Sequence, residues 1–171
     1  MLGRHASCCA PVAPAKHVAH HLTFDLMTQR EAYDELCAYT LTRGDATFIH
    51  QHVVDAFAAQ AADHTTKPIT LTFALVGLYL HVERHFTGRE VQQAHQHIAR
   101  RKRVWPSFTL PADRGSTTAA DVLSRPEGTE RDEAIHAWSA AVWDAFRRSK
   151  TLAEELLSHY PEIFHHGART A

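Results

Sequence analysis

The chain has 171 residues, 44% of them hydrophobic, enough for one ordinary domain with a sizeable core. Its 18 Lys and Arg stand against 19 Asp and Glu, a formal charge of -1. No global attraction to nucleic acid or to an anionic membrane follows, so the expected partner is a small molecule or a protein, with a homodimer left open. The 15 histidines are far above ordinary usage and titrate near neutral pH, but a ligand cluster needs several that converge, so the excess alone assigns none of them. Cys8, Cys9 and Cys37 are odd in number and form no CxxC pair, which argues against a disulfide framework and for a reducing cytoplasm. Arg4, His5, Pro11 and Pro14 interrupt any secretory apolar segment, and the longest apolar run, Ile69 to Val82, contains Thr70, Thr72, Tyr79 and His81. No membrane span is expected.

Residues 1–24 mix Ala, Pro, His and Cys without a helical or strand period, and read as a disordered leader. From Thr28 the pattern changes. Thr28-x-x-Glu31 fits a capping box, and Ala32, Leu36 and Tyr39 recur at helical spacing until Arg43-Gly44, which predicts a first helix. Cys37 shares a face of it with Tyr33 and Asp34; a buried thiol is the plain reading and a metal-ligating thiolate the sharper one. Asp45 then caps a second helix to about Asp63. At about 100° per residue, Ala46, His50, Val53, Val54, Phe57 and Ala61 gather on one face. His50 is thus expected to point into the core, while His52 falls with Phe48, Asp55 and Ala59 on the other side.

Lys67-Pro68 opens a third helix that is apolar nearly all round to Val82, as befits the centre of a bundle. Its polar end, His81, Glu83 and His85, must find partners or shed charge, and His81-x-x-x-His85 is a two-ligand spacing. Thr87-Gly88 breaks the chain before a polar helix from Arg89 to Lys102, with Val91, Ala94, His95, Ile98 and Ala99 as its inward stripe. The basic run at 100–103 reads as a solvated helix end rather than a phosphate site. Val104 to Pro111 cannot be helical, yet carries Trp105, Phe108 and Leu110, and reads as a strap across the bundle. Thr117 to Leu123 is a short helical turn, and a long final helix starts near Thr129, with Ile135, Trp138, Val142 and Phe146 as its stripe and Leu152, Leu156 and Leu157 continuing it. His136 and Asp132 are one turn apart on it. The expected fold is all-α: one helical-bundle domain over 25–165, about five helices with an irregular Trp-Pro/Leu-Pro strap before the last, and a tail at 166–171.

Several stretches together resemble a small bacterial family of uncharacterised proteins, the DUF5946 family. They are Tyr33 to Cys37, His50 to Gln60, Leu78 to Glu83, Gly88 to His95, and the Trp105 to Pro111 strap, within a resemblance that runs from about Tyr33 to Phe146. The family carries no established activity to transfer. The resemblance implies that His50, Asp55, Gln60, His81 and His95 belong to its pattern, with His52 and His85 more particular to this chain. Relatives that begin with a CxxC element differ from the adjacent Cys8 and Cys9 here, which argues against an N-terminal zinc site.

Spacing and resemblance converge on His50, His81 and His95, three imidazoles from three packed helices that could hold a divalent ion, zinc first, and leave a position open for water. Cys37 is a further candidate ligand, and Asp55 and Glu83 are candidate catalytic carboxylates or orienting groups. Such a site suits a metal-dependent hydrolase or transferase acting on a small substrate. The alternative is a non-catalytic ligand- or protein-binding module whose buried histidines are structural. Helical-bundle metal enzymes of the DinB-like group are similar in architecture and in the His81-x-x-x-His85 spacing. Di-iron chemistry is disfavoured, because Glu133-x-x-His136 is the one Glu-x-x-His pair on a long predicted helix where two are needed, Glu162-x-x-His165 lying near the end of the chain.

Overall fold

The computed structural model describes residues 16–101 and 104–165. Among the described residues the regular structure is helical throughout: α1 (Lys16–Thr42), α2 (His50–Gln60), α3 (Pro68–Arg84), α4 (Gly88–Ala99), α5 (Ala119–Leu123), α6 (Thr129–Ala145), α7 (Lys150–Ser158) and α8 (Glu162–His165), with a 3-10 turn at Arg147–Ser149 between α6 and α7. The all-α expectation holds, with more and shorter helices than five. Residues 1–15 of the expected leader and the tail at 166–171 lie outside the described residues, and α1 is described from Lys16. Among the described residues, no helix is long and apolar enough to cross a membrane.

α3 forms the centre, as its sequence requires. Pro68 sits in the first turn, where a missing N–H costs nothing, and from Ala74 to Leu80 every residue is buried. α2 packs along it, and α6, α4 and α7 surround the pair. The C-terminus of α3 closes without glycine. His85 takes the left-handed conformation at φ 58°, its N–H donates to the His81 carbonyl at 3.1 Å, and the Phe86 N–H donates to the Leu80 carbonyl at 3.0 Å. These bonds consume carbonyls that a helix end leaves orphaned and turn the chain sharply into α4. Thr87 and Glu90 then cap α4 reciprocally, the Thr87 N–H donating to Glu90 Oε2 at 2.8 Å.

α1 starts at Lys16 rather than near Thr28; two further expected boundaries move, each for a physical reason. α2 begins at His50 rather than near Asp45, because Phe48 has φ 58° and Asp45 caps a turn instead, accepting from the Thr47 N–H at 3.0 Å and the Ile49 N–H at 2.9 Å. The long final helix is broken. Phe146, buried in the core, leaves the helical region (φ -94°, ψ 13°), and the 3-10 turn redirects α7. That bend lets Arg147 and Lys150 both reach Glu83 on α3, at 2.6 and 2.9 Å, and buries Leu156, Leu157 and Tyr160. The strap behaves as expected: residues 104–111 have no regular structure, and Trp105, Phe108 and Leu110 pack against the core. Gln60 ties the segment after it, donating to the carbonyls of Gly115 and Thr117 at 3.1 and 2.8 Å while accepting from the Trp138 indole at 3.0 Å.

The junction of α2 and α4 depends on a glycine. The Phe48 carbonyl lies so close to Gly88 that a Cβ there would overlap its oxygen, and the Arg89 N–H donates to the Thr47 carbonyl at 2.8 Å. Both partners are backbone, so neither can rotate away. Gly88→Ala is therefore expected to cost about 1–3 kcal/mol, read as a lower urea midpoint. An unchanged midpoint would show that the two segments separate freely.

Candidate functional site

Three histidines from three helices meet beside the α2–α3 contact. One ring nitrogen from each of His52 (α2), His81 (α3) and His136 (α6) lies within 4.8 Å of the other two. The His52 and His81 rings stack with centroids 3.6 Å apart and planes 23° from parallel, and His136 Nδ1 stands 3.1 Å from His81 Nε2. Burial is graded across the trio: His52 is 3% exposed, His81 is half-buried and His136 faces solvent. The cluster thus has a closed floor and an open edge.

The protonation states follow from these surroundings. Burial, and then the positive charge that His81 and His136 would carry, push His52 down to about 2. Burial pushes His81 down to about 4 and lowers His136, the latter against the pull of the Asp132 carboxylate one turn earlier. All three imidazoles are therefore neutral at neutral pH, the form in which a histidine can offer a lone pair. The tautomer of His81 is set by its neighbour: Nδ1 lies 3.2 Å from the Phe86 carbonyl, which can only accept, so Nδ1 carries the proton and Nε2 faces the cluster with its lone pair. The left-handed turn at His85 is what presents that carbonyl. At the rim Asp132 is ion-paired with Arg43, whose guanidinium also lies over the Tyr39 ring.

Of the residues singled out in the sequence, only His81 stands in this trio. His50 Nδ1 lies 2.9 Å from the Thr40 hydroxyl, joining α1 to α2, and its ring meets Phe48 edge-on. His95 packs edge-on against Phe73, 5.0 Å between centroids, and burial pushes it down to about 4. His85 is the exposed cap of α3. Cys37 hydrogen-bonds Tyr33, and burial pushes its thiol up. Glu83 accepts from the Trp143 indole at 2.9 Å and is clasped by Arg147 and Lys150; the indole bond and then Lys150 hold it below the usual carboxylate range. Asp55 is buried, accepts from the Gln51 amide at 3.1 Å and lies against Gly77, and burial drives its carboxyl well above the usual range.

The placement of His52 corrects the helical-wheel expectation. A wheel assigns one inward face, but α2 is packed against α1, α3, α4 and α6, so both of its sides are buried and the His52–Asp55 side is the one against α3. His136 was visible in the sequence only as a neighbour of Asp132 and as the end of Glu133-x-x-His136. Its meeting with His81, 55 residues away, depends on how α6 crosses α3, which no local spacing encodes.

The depressed His52 predicts a pH dependence. The unfolded side chain takes a proton below about 6.5, whereas the folded one refuses it until about 2. The unfolded state therefore binds more protons as pH falls below about 6.5, and stability declines from there downward, while above it the group contributes no slope. For chelator-treated protein, His52 alone is expected to remove on the order of 2 kcal/mol between about pH 7 and about pH 5. Urea midpoints across that range should fall more steeply for the parent chain than for His52→Leu; equal slopes would mean that the folded protein protonates His52.

Searches of curated proteins and of solved structures each returned no match. A family model described as a family of unknown function matches residues 4–147, a span that holds α2, α3, α4, α6 and all three clustered histidines. The chain belongs to that family, DUF5946.

Proposed function

We propose that this protein binds one divalent metal ion, zinc first, through His52, His81 and His136, and uses it as a hydrolase or group transferase on a small substrate reaching it from the His136 side. The observation that carries the reading is the convergence of three neutral imidazoles from three different helices within 4.8 Å. Two details of the geometry support it. His81 already has the outer hydrogen bond that orients metal-ligating histidines, from Nδ1 to the Phe86 carbonyl. The 3.1 Å between His81 Nε2 and His136 Nδ1 is close to the roughly 3.3 Å that separates two nitrogens on a tetrahedral zinc with Zn–N near 2.0–2.1 Å.

Three protein nitrogens and a remaining position on the exposed side match a catalytic zinc site rather than a closed structural one. An ion held there supplies Lewis acidity to a carbonyl or phosphoryl oxygen. His52 and His81 keep the inner side of the site dry, and the Arg43–Asp132 pair borders its solvent edge. The non-catalytic alternative draws on the same 3.1 Å contact, since a His136 Nδ1–H donating to His81 Nε2 would tie α6 to α3 with no ion.

Elemental analysis of tag-free protein separates the two. About one equivalent of zinc is expected, lost in His52→Ala and in His136→Ala and kept in His50→Ala and His95→Ala. Wild-type protein without stoichiometric metal would leave the structural reading. Metal lost with His50 or His95 but kept without His136 would move the site to the other face of α2.

A further inference from the structure

Each proposed ligand needs a partner on the ring nitrogen that does not face the ion, and His81 has one in place while His136 has a carboxylate nearby. His81 has the Phe86 carbonyl, and His136 feels the charge of the Asp132 carboxylate one turn earlier on its own helix, which is ion-paired with Arg43. His52 has none in place: its Nδ1 is buried and without a hydrogen-bond partner. One turn further along α2, Asp55 Oδ2 is also buried and unpartnered. Residues three apart on a helix share a face with Cβ atoms roughly 5–6 Å apart, a gap that an aspartate and a histidine side chain span by rotation.

The local packing points the same way. Asp55 is 3% exposed, and its carboxyl lies against Gly77 so closely that a Cβ at that position would overlap Oδ2. A glycine inside a buried helix weakens the helix, and a buried carboxyl with an unsatisfied oxygen weakens the fold. Here the first makes room for the second, in an interface that is apolar apart from the His52–His81 stack. An aliphatic pair would pack there with neither penalty, so the carboxyl's use is sought in what it faces.

We propose that Asp55 is the positioning residue of the metal site, its Oδ2 accepting the Nδ1–H bond of His52 so that Nε2 is presented to the ion. This rests on the three-histidine reading. It makes Asp55 a group that acts through His52, and Gly77 the residue that gives it space.

The test compares zinc affinity, measured on tag-free full-length protein by competition with a chromophoric chelator, against urea stability of the same proteins stripped of metal. Asp55→Leu is expected to lower zinc affinity about 10–100-fold while leaving metal-free stability equal or higher. Asp55→Asn, which keeps an oxygen acceptor, is expected to retain affinity within a few-fold of the parent. Ser139→Ala, at another buried polar residue, whose hydroxyl is bonded to the Ile135 carbonyl, is expected to leave affinity unchanged. Should the Leu side chain fail to fit, Asp55→Ala is read in its place. Opposite movement of affinity and stability, with rescue by Asn, supports the assignment; affinity unchanged in Asp55→Leu, or affinity and stability falling together, overturns it. No zinc bound by the parent protein would instead remove the three-histidine reading itself, an outcome seen before any Asp55 variant is measured.

Discussion

The contact between α2 and α3 decides where everything else lies. It is unusual in carrying two polar features at adjacent turns of an apolar interface: the His52 ring stacked on His81, and the Asp55 carboxyl laid against Gly77. Each holds the other in register. Sliding α2 along α3 by one turn would drive Asp55 into a residue with a Cβ and take His52 off its partner ring, so the glycine at 77 helps fix the axial position of His52. The remaining helices wrap this pair, and His136 reaches the site because α6 crosses both.

Hydrogen bonds at helix ends carry that register outward. The closure at the end of α3 spends the His81 and Leu80 carbonyls on the turn and leaves the Phe86 carbonyl facing the His81 ring. A helix cap thus also chooses a tautomer. Glu83, two residues on from His81, does the corresponding work toward the far side: with the Trp143 indole, Arg147 and Lys150 on it, it fastens α6 and the bend after it to α3. The position of His136 relative to His81 therefore depends on an ion-pair cluster that never touches the histidines. Exposed pairs of this kind contribute little singly, but three donors converging on one carboxylate, one of them a buried indole, restrict how α6 can turn.

Much of this architecture was legible in local pattern. Pro68 and the unbroken apolar run marked α3 as central, Thr87 marked the turn into α4, and Trp105 to Pro111 marked a strap, because each depends on chemistry within a few residues. The break at Phe146 was not, since the helical stripe continues past it, and the contacts that accompany the bend, Arg147 and Lys150 on Glu83, lie more than 60 residues apart in the chain. The site was legible in kind, histidines converging between helices, and His81 was among those named. His52 was set aside because a wheel presumes one buried face, and α2 has more than one. His136 sits between Ile135 and Trp138 on the α6 stripe without interrupting it, so nothing local singles it out.

What separates His52, His81 and His136 from the other buried histidines is the number of helices that meet, not burial itself. His95 is pushed down as far as His81, yet its ring packs on Phe73 and it belongs to no group of three or more such side chains among the described residues. His50 finds a hydroxyl, which satisfies one nitrogen and ties two helices. His95 Nε2 is, like His52 Nδ1, buried and without a hydrogen-bond partner, so an unsatisfied ring nitrogen does not by itself mark a site. In the trio two neutral rings lie face to face, a third approaches within hydrogen-bond distance, and the most buried ring keeps a nitrogen with no partner. What sets the trio apart is the meeting of imidazoles from three helices, which brings three ring nitrogens within reach of one point.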